Sequence, residues 1–156
     1  MKKVTNAQHA QIDNMADALQ KLVQYHGPGR IVLNRPRASG STLLLLALGE
    51  RLHLPTLLVV HPNSSQYIRD WANNSGIFTP EIDHAFTSHT ASRFRIIFPG
   101  DLARFARADS ARDTVVLIDN TFHPLSPDAL NRDYMRSIDQ LSSYFKMTLH
   151  INNNDL

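Results

Sequence analysis

The chain has 156 residues, the length of one ordinary domain, with 42% hydrophobic and 19% charged residues. That composition is globular rather than disordered, and a domain of this size can build a core without covalent staples. There is no cysteine, which excludes disulfides, thiolate metal sites and a thiol nucleophile.

Lys and Arg number 16 against 14 Asp and Glu. The split within each sign is sharper: twelve Arg to four Lys, and twelve Asp to two Glu. Arg suits phosphate and other planar anions. Arg93, Arg95, Arg104, Arg107 and Arg112 crowd one stretch, but Asp101, Asp109 and Asp113 lie among them. The expectation there is a mixed, solvated surface rather than a nucleic-acid patch. The polar start, Met1 to Asn6, has no apolar signal run, and Leu43 to Leu48 is too short to span a bilayer. The reading is a cytoplasmic protein with no membrane partner.

In chain order, residues 8–25 carry Ile12, Met15, Ala16, Leu19, Leu22 and Val23 at helical spacing. Gly27-Pro28-Gly29 stops that helix. Residues 30–34 read as a short buried strand, 35–40 as a loop, and 41–53 as a helix apolar over most of its surface. A second strand follows at 56–61, then a helix at 65–74. Residues 82–88 and 93–98 read as two strands of a β-hairpin. A short helix at 101–107 leads to the most apolar strand, 114–119. Ser126-Pro127-Asp128 opens a long helix reaching about residue 146. Residues 147–151 form the last strand, ahead of the polar Asn152 to Leu156.

The pattern predicts one domain over 1–156, with an N-terminal helix through residue 28 and a core over 29–156. Alternating strands and helices predict an α/β three-layer sandwich with a mostly parallel central sheet. Ligands in such sheets sit beyond the carboxyl ends of the strands. That narrows the search to four loops, beginning near Asn34, His61, Asp119 and Asn152.

The first loop, Asn34-Arg35-Pro36-Arg37-Ala38-Ser39-Gly40-Ser41-Thr42, runs from a strand into a buried helix. Backbone N–H groups at such a helix start favour an anion. Gly40 permits close approach, and the Thr42 hydroxyl stands where phosphate-bound Mg2+ needs a ligand. The context matches a P-loop, although only Gly40 and Thr42 agree with its consensus. Asp119 ends an apolar strand, as a Walker B acid would.

These segments together resemble the ATPase domain of phage terminase large subunits and related helicase-like P-loop NTPases of the RecA/ASCE type. The segment "GRIVLNRPRASGSTLLLLALGERL" is similar to their strand, P-loop and first helix. "PTLLVVHPNSSQYIRDWANNSG" looks like their second strand and helix, and "FRIIFPGDLARFARADSARDTVVLIDN" like the approach to Walker B. "MTLHINNN" sits where their sensor strand ends. The resemblance implies phosphate contacts from Arg35, Arg37, Gly40, Ser41 and Thr42. It implies Mg2+ at Thr42 and Asp119 with ATP or another nucleotide, and sensor-like roles for Asn120 and Asn152.

Two departures bear on activity. Ser41 replaces the Walker A Lys; a charge-assisted contact is worth about 1.5–3 kcal/mol, so phosphate affinity falls unless Arg35 or Arg37 substitutes. Asn120 replaces the Walker B Glu, and an amide cannot take a proton from water. Glu50 and Glu81 fall away from the strand ends. The expectation is therefore a pseudoenzyme: a reduced, degenerate domain of phage or mobile-element type that binds nucleotide without efficient hydrolysis. Its setting would be DNA processing or packaging, as an accessory factor in the host cytoplasm. One alternative is an interaction module that keeps only the fold and binds a partner protein or DNA. Another is an active ATPase with Arg in place of the Walker A Lys. The eight His lack metal-ligand spacing and read as ordinary surface or hydrogen-bonded residues. Ser64, His123 and Asp119 lack the elbow of a hydrolase triad.

Overall fold

The computed structural model describes residues 6–25, 29–36, 41–60, 65–76, 83, 93–119 and 136–154. Among the described residues five strands form one sheet: β1 (Arg30–Pro36), β2 (Thr56–Val59), β3 (Phe94–Ile97), β4 (Val115–Ile118) and β5 (Met147–Asn154), in the order β1-β5-β4-β2-β3. Every pairing is parallel. Among the described residues the longer helical runs are α1 (Asn6–Tyr25), α2 (Ser41–Arg51), α3 (Ser65–Ser75), α4 (Leu102–Ala106) and α5 (residues 136–141).

Parallel neighbours need crossovers, and right-handed crossovers fix the face each helix takes. From β1 to β2 to β3 the chain moves one way along the sheet; from β3 to β4 to β5 it moves back. Helices of opposite travel therefore belong on opposite faces. One apolar cluster joins α1, α2 and Ile68 of α3 to Leu58, Val115, Leu117, Met147, Leu149 and Ile151. A second joins Leu102 and Ala106 of α4 and Ile138 of α5 to Leu57, Val59, Ile97, Val116 and Ile118. The strict alternation along β2 and β4 shows both faces covered, which is why these strands read as unbroken apolar runs. The three-layer sandwich is thus built by two independent cores.

Helix α2 is the central wedge. Leu43, Leu44, Leu45, Leu46, Ala47 and Leu48 are all buried, because α2 lies between the sheet and α1. The stripe Ile12, Ala16, Leu19 and Val23 of α1 supplies the outer cover. Burying each Leu stabilises by roughly 1.5–3 kcal/mol relative to exposure.

Several boundaries differ from the sequence reading. The segment β1 extends through Arg35 and Pro36, so Arg35 lies in the strand rather than in the loop. Its extension is matched by β5, where Asn152, Asn153 and Asn154 pair with Asn34, Arg35 and Pro36. Polar side chains hid both ends, while backbone pairing holds them. Pro36 is accommodated because β1 is an edge strand. Of the hairpin expected over 82–98, β3 is a strand and pairs parallel to β2, and Asp83 is helical rather than extended; the rest of 82–88 lies outside the described residues. The last helix ends at residue 141, where Ser142–Tyr144 tightens into a 3₁₀ turn, rather than at 146.

Gly49 shows how tightly α2 meets the sheet. A Cβ there would lie 2.3 Å from the Phe94 ring, and Phe94 is itself fully buried. Overpacking typically costs about 1–3 kcal/mol, against a helix-propensity gain of at most about 1 kcal/mol. Gly49→Ala should lower the urea midpoint of unfolding, and Gly49→Ala/Phe94→Leu should recover part of the loss.

Candidate functional site

The carboxyl end of the sheet brings two distant segments together. Ser41 and Thr42 open α2, and Asp119 follows directly on β4. The Thr42 hydroxyl donates to Asp119 Oδ2 at 3.0 Å across 77 residues of sequence. Asp119 is only 4% exposed, and its backbone N–H donates to the Val59 carbonyl at 3.2 Å. The last ladder bond of β4 therefore fixes where the carboxylate can stand. Ser41, next to Thr42 at the helix start, is buried as well.

Register sets the distances. His150 of β5 is level with Val32 of β1 on one side and with Ile118 of β4 on the other. Asp119 is thus one residue above that line, while β1 and β5 continue past it. Two strand spacings separate β1 from β4, about 10 Å. The start of α2 closes that gap, since it returns over the sheet after leaving β1. A helix start beside a carboxylate can hold a phosphate and its counter-cation, because the first N–H groups of a helix have no intrahelical partner.

Thr42 and Asp119 are brought together, with Ser41 adjoining. Arg35 is half-buried in β1; burial draws its guanidinium below its usual pKa, but Arg remains charged at neutral pH. Asn152 lies in β5 opposite Asn34. Arg37, Gly40 and Asn120 lie outside the described residues, as do His61, Ser64 and His123. Among the described residues no three His, Asp or Glu side chains gather as a metal site. That set does not bear on phosphate-held Mg2+, which keeps waters and takes one or two protein ligands.

The cleft of about 600 Å³ between α1 and the far end of α2 is a different place. Arg51 there pairs with Asp13 and, at 3.4 Å, with Asp17. Nine helical steps separate Thr42 from Arg51, about 14 Å along the axis.

One buried group escaped the sequence reading. The guanidinium of Arg30 pairs with Asp139 of α5 and donates to His150 Nδ1 at 3.3 Å. That bond makes Nδ1 the acceptor and leaves the ring proton on Nε2. His150 is 2% exposed, and neither its Nε2 nor the Thr148 hydroxyl has a hydrogen-bond partner among the described residues. Burial, with Arg30 adding to it and Asp139 opposing, pushes His150 down to about 4. Only the i, i+2 pattern Thr148-x-His150 in an apolar strand hinted at this. No protein-family model matches the chain, and no curated protein matches it.

The His150 shift makes stability depend on pH. The unfolded imidazole takes a proton near pH 6.5, while the folded one stays neutral to about pH 4. The unfolded state binds more protons in that window, so stability falls as pH drops through it, by roughly 2–4 kcal/mol in all. Urea unfolding at stepped pH between those limits should show the loss in the wild type and a flatter profile in His150→Leu.

Proposed function

We propose that the chain is a degenerate P-loop NTPase-like domain that binds the phosphates of a nucleotide with Mg2+ and hydrolyses them poorly. The observation that carries the reading is the 3.0 Å bond from Thr42 to Asp119. It joins a hydroxyl at a helix start to a carboxylate at a strand end, and those are the two protein groups a phosphate-bound Mg2+ needs. The sheet order supports the same reading, because β5, the strand likened above to a sensor strand, lies between the loop-bearing β1 and the acid-bearing β4.

The donor set fits the group. Thr42 would ligate Mg2+ directly, and Asp119 would hold it through water. Ser41, Gly40 and their neighbours would present N–H groups to the phosphates, with Arg35 and Arg37 supplying charge. The ion would neutralise phosphate charge when bound. No carboxylate follows Asp119 in sequence, where Asn120 stands, so general-base help worth about 10²–10⁴-fold is missing at that position. The accessory role in a phage-type DNA-processing or packaging assembly rests on the resemblance of the ordered segments.

A second reading has its own observation. The bond between Thr42 and Asp119 satisfies both groups without ligand, as a scaffold that has given up nucleotide would do. Its function would then be a protein or DNA contact.

Thermal melting separates them. Under the first reading, Mg-ATP at 100 times its Kd stabilises by about 2.7 kcal/mol, a shift of several degrees for a domain of this size. Asp119→Ala should abolish the Mg2+-dependent part of the shift. An unchanged melting temperature at millimolar Mg-ATP favours the scaffold reading. Rapid Mg2+-dependent phosphate release that vanishes in Asp119→Ala would instead favour an active ATPase.

A further inference from the structure

The arginines divide by what they do. Arg30, Arg51 and Arg69 form ion pairs with Asp139, with Asp13 and Asp17, and with Asp83. Arg93 donates to the carbonyls of Gly49 and Glu50 at 3.4 and 3.1 Å and so closes the end of α2. These side chains hold the fold. Arg95, Arg104 and Arg107 are of another kind: among the described residues none of them forms an ion pair. Asp101 and Asp109, which looked in sequence like their counter-charges, do not come within ion-pair distance of them.

What does organise two of them is an aromatic ring. The guanidinium carbon of Arg95 lies 5.4 Å from the centre of the Phe105 ring, and that of Arg104 lies 5.1 Å from it. Phe105 is partly buried against the core beneath α4. It is therefore a fixed platform. A guanidinium resting on a ring gives up rotational freedom but keeps the in-plane N–H groups that grip a phosphate in a fork. Part of the ordering cost of binding is thus already met. Arg104 and Arg107 are exposed and three residues apart, so they lie on neighbouring turns.

We infer that the face formed by β3 and α4 binds the phosphate backbone of a nucleic-acid strand through Arg95, Arg104 and Arg107. Pre-set cations that form no ion pair among the described residues fit a repeating, closely spaced anion. The surface is separate from the proposed nucleotide site, since β3 and β1 are opposite edges of the sheet. Contacts of this kind position a strand without reading its sequence.

Fluorescence anisotropy with mixed-sequence DNA of about 20 nucleotides, single-stranded and duplex, tests this across about 50–200 mM salt. The wild type should bind at low salt with little sequence preference. Arg104→Ala/Arg107→Ala should reduce the slope of log affinity against log salt by about 1.5–2. Phe105→Leu keeps an apolar side chain under α4 and should weaken binding several-fold by freeing the two guanidinium groups. Lys21→Ala, on the opposite face, should leave binding unchanged. Melting curves identify any variant that has lost its fold. The inference is overturned if the wild type fails to bind at low salt. It is also overturned if Lys21→Ala lowers the slope as much as a single Arg change, or if anionic lipid vesicles are bound and DNA is not.

Discussion

One hydroxyl meeting one carboxylate ties the carboxyl end of this sheet together. The Thr42 side chain crosses from the head of α2 to Asp119 at the end of β4, spanning the gap left by the intervening β5. Nothing local in sequence brings these groups into contact. Their meeting follows from β1 and β4 lying two strand positions apart and from α2 returning over the sheet between them. The carboxylate is buried, so it needs partners in the folded state, and the hydroxyl is one of them.

The frame that delivers this contact is two apolar layers of different character. The α1/α2 side is thick: a helix with seven consecutive buried residues, covered in turn by another helix. The other side uses shorter pieces, α4 and α5, over Leu57, Val59, Val116 and Ile118. There the sheet also carries buried polar groups, Thr148 and His150, where β5 meets β1. The apolar strands β2 and β4 are the rigid middle, while β1 and β5 carry polarity toward the end where ligands approach α/β sheets.

The parts of this architecture that hydrophobicity decides were legible in sequence. The stripe of α1, the buried helix after Gly40 and the run Val115 to Ile118 each have a period or an apolar density that leaves little choice. Asp119 was legible as a strand-end acid for the same reason. What was not legible depends on partners far away in the chain. The ends of β1 and β5 are Asn, Arg and Pro, and they are strands only because they pair with each other. The apolar stretch at 94–97 is a strand as read, but its parallel partner β2 lies far back in the chain. The burial of His150 and the sorting of arginines into paired and ring-stacked groups depend on three-dimensional neighbours. Charge counts cannot show them. The mixed Arg and Asp stretch looked self-neutralising, yet among the described residues Arg95, Arg104 and Arg107 form no ion pair with Asp101 or Asp109.

The direct measurement is an amide NMR titration of the folded chain with Mg-ADP. Saturable, Mg2+-dependent shifts should concentrate at Ser41 to Leu43 and at Ile118 and Asp119, with the α1 amides near Asp13 unmoved. Shifts centred on the α1/α2 cleft, or no saturable change at those five amides, would rule out a nucleotide site between Thr42 and Asp119.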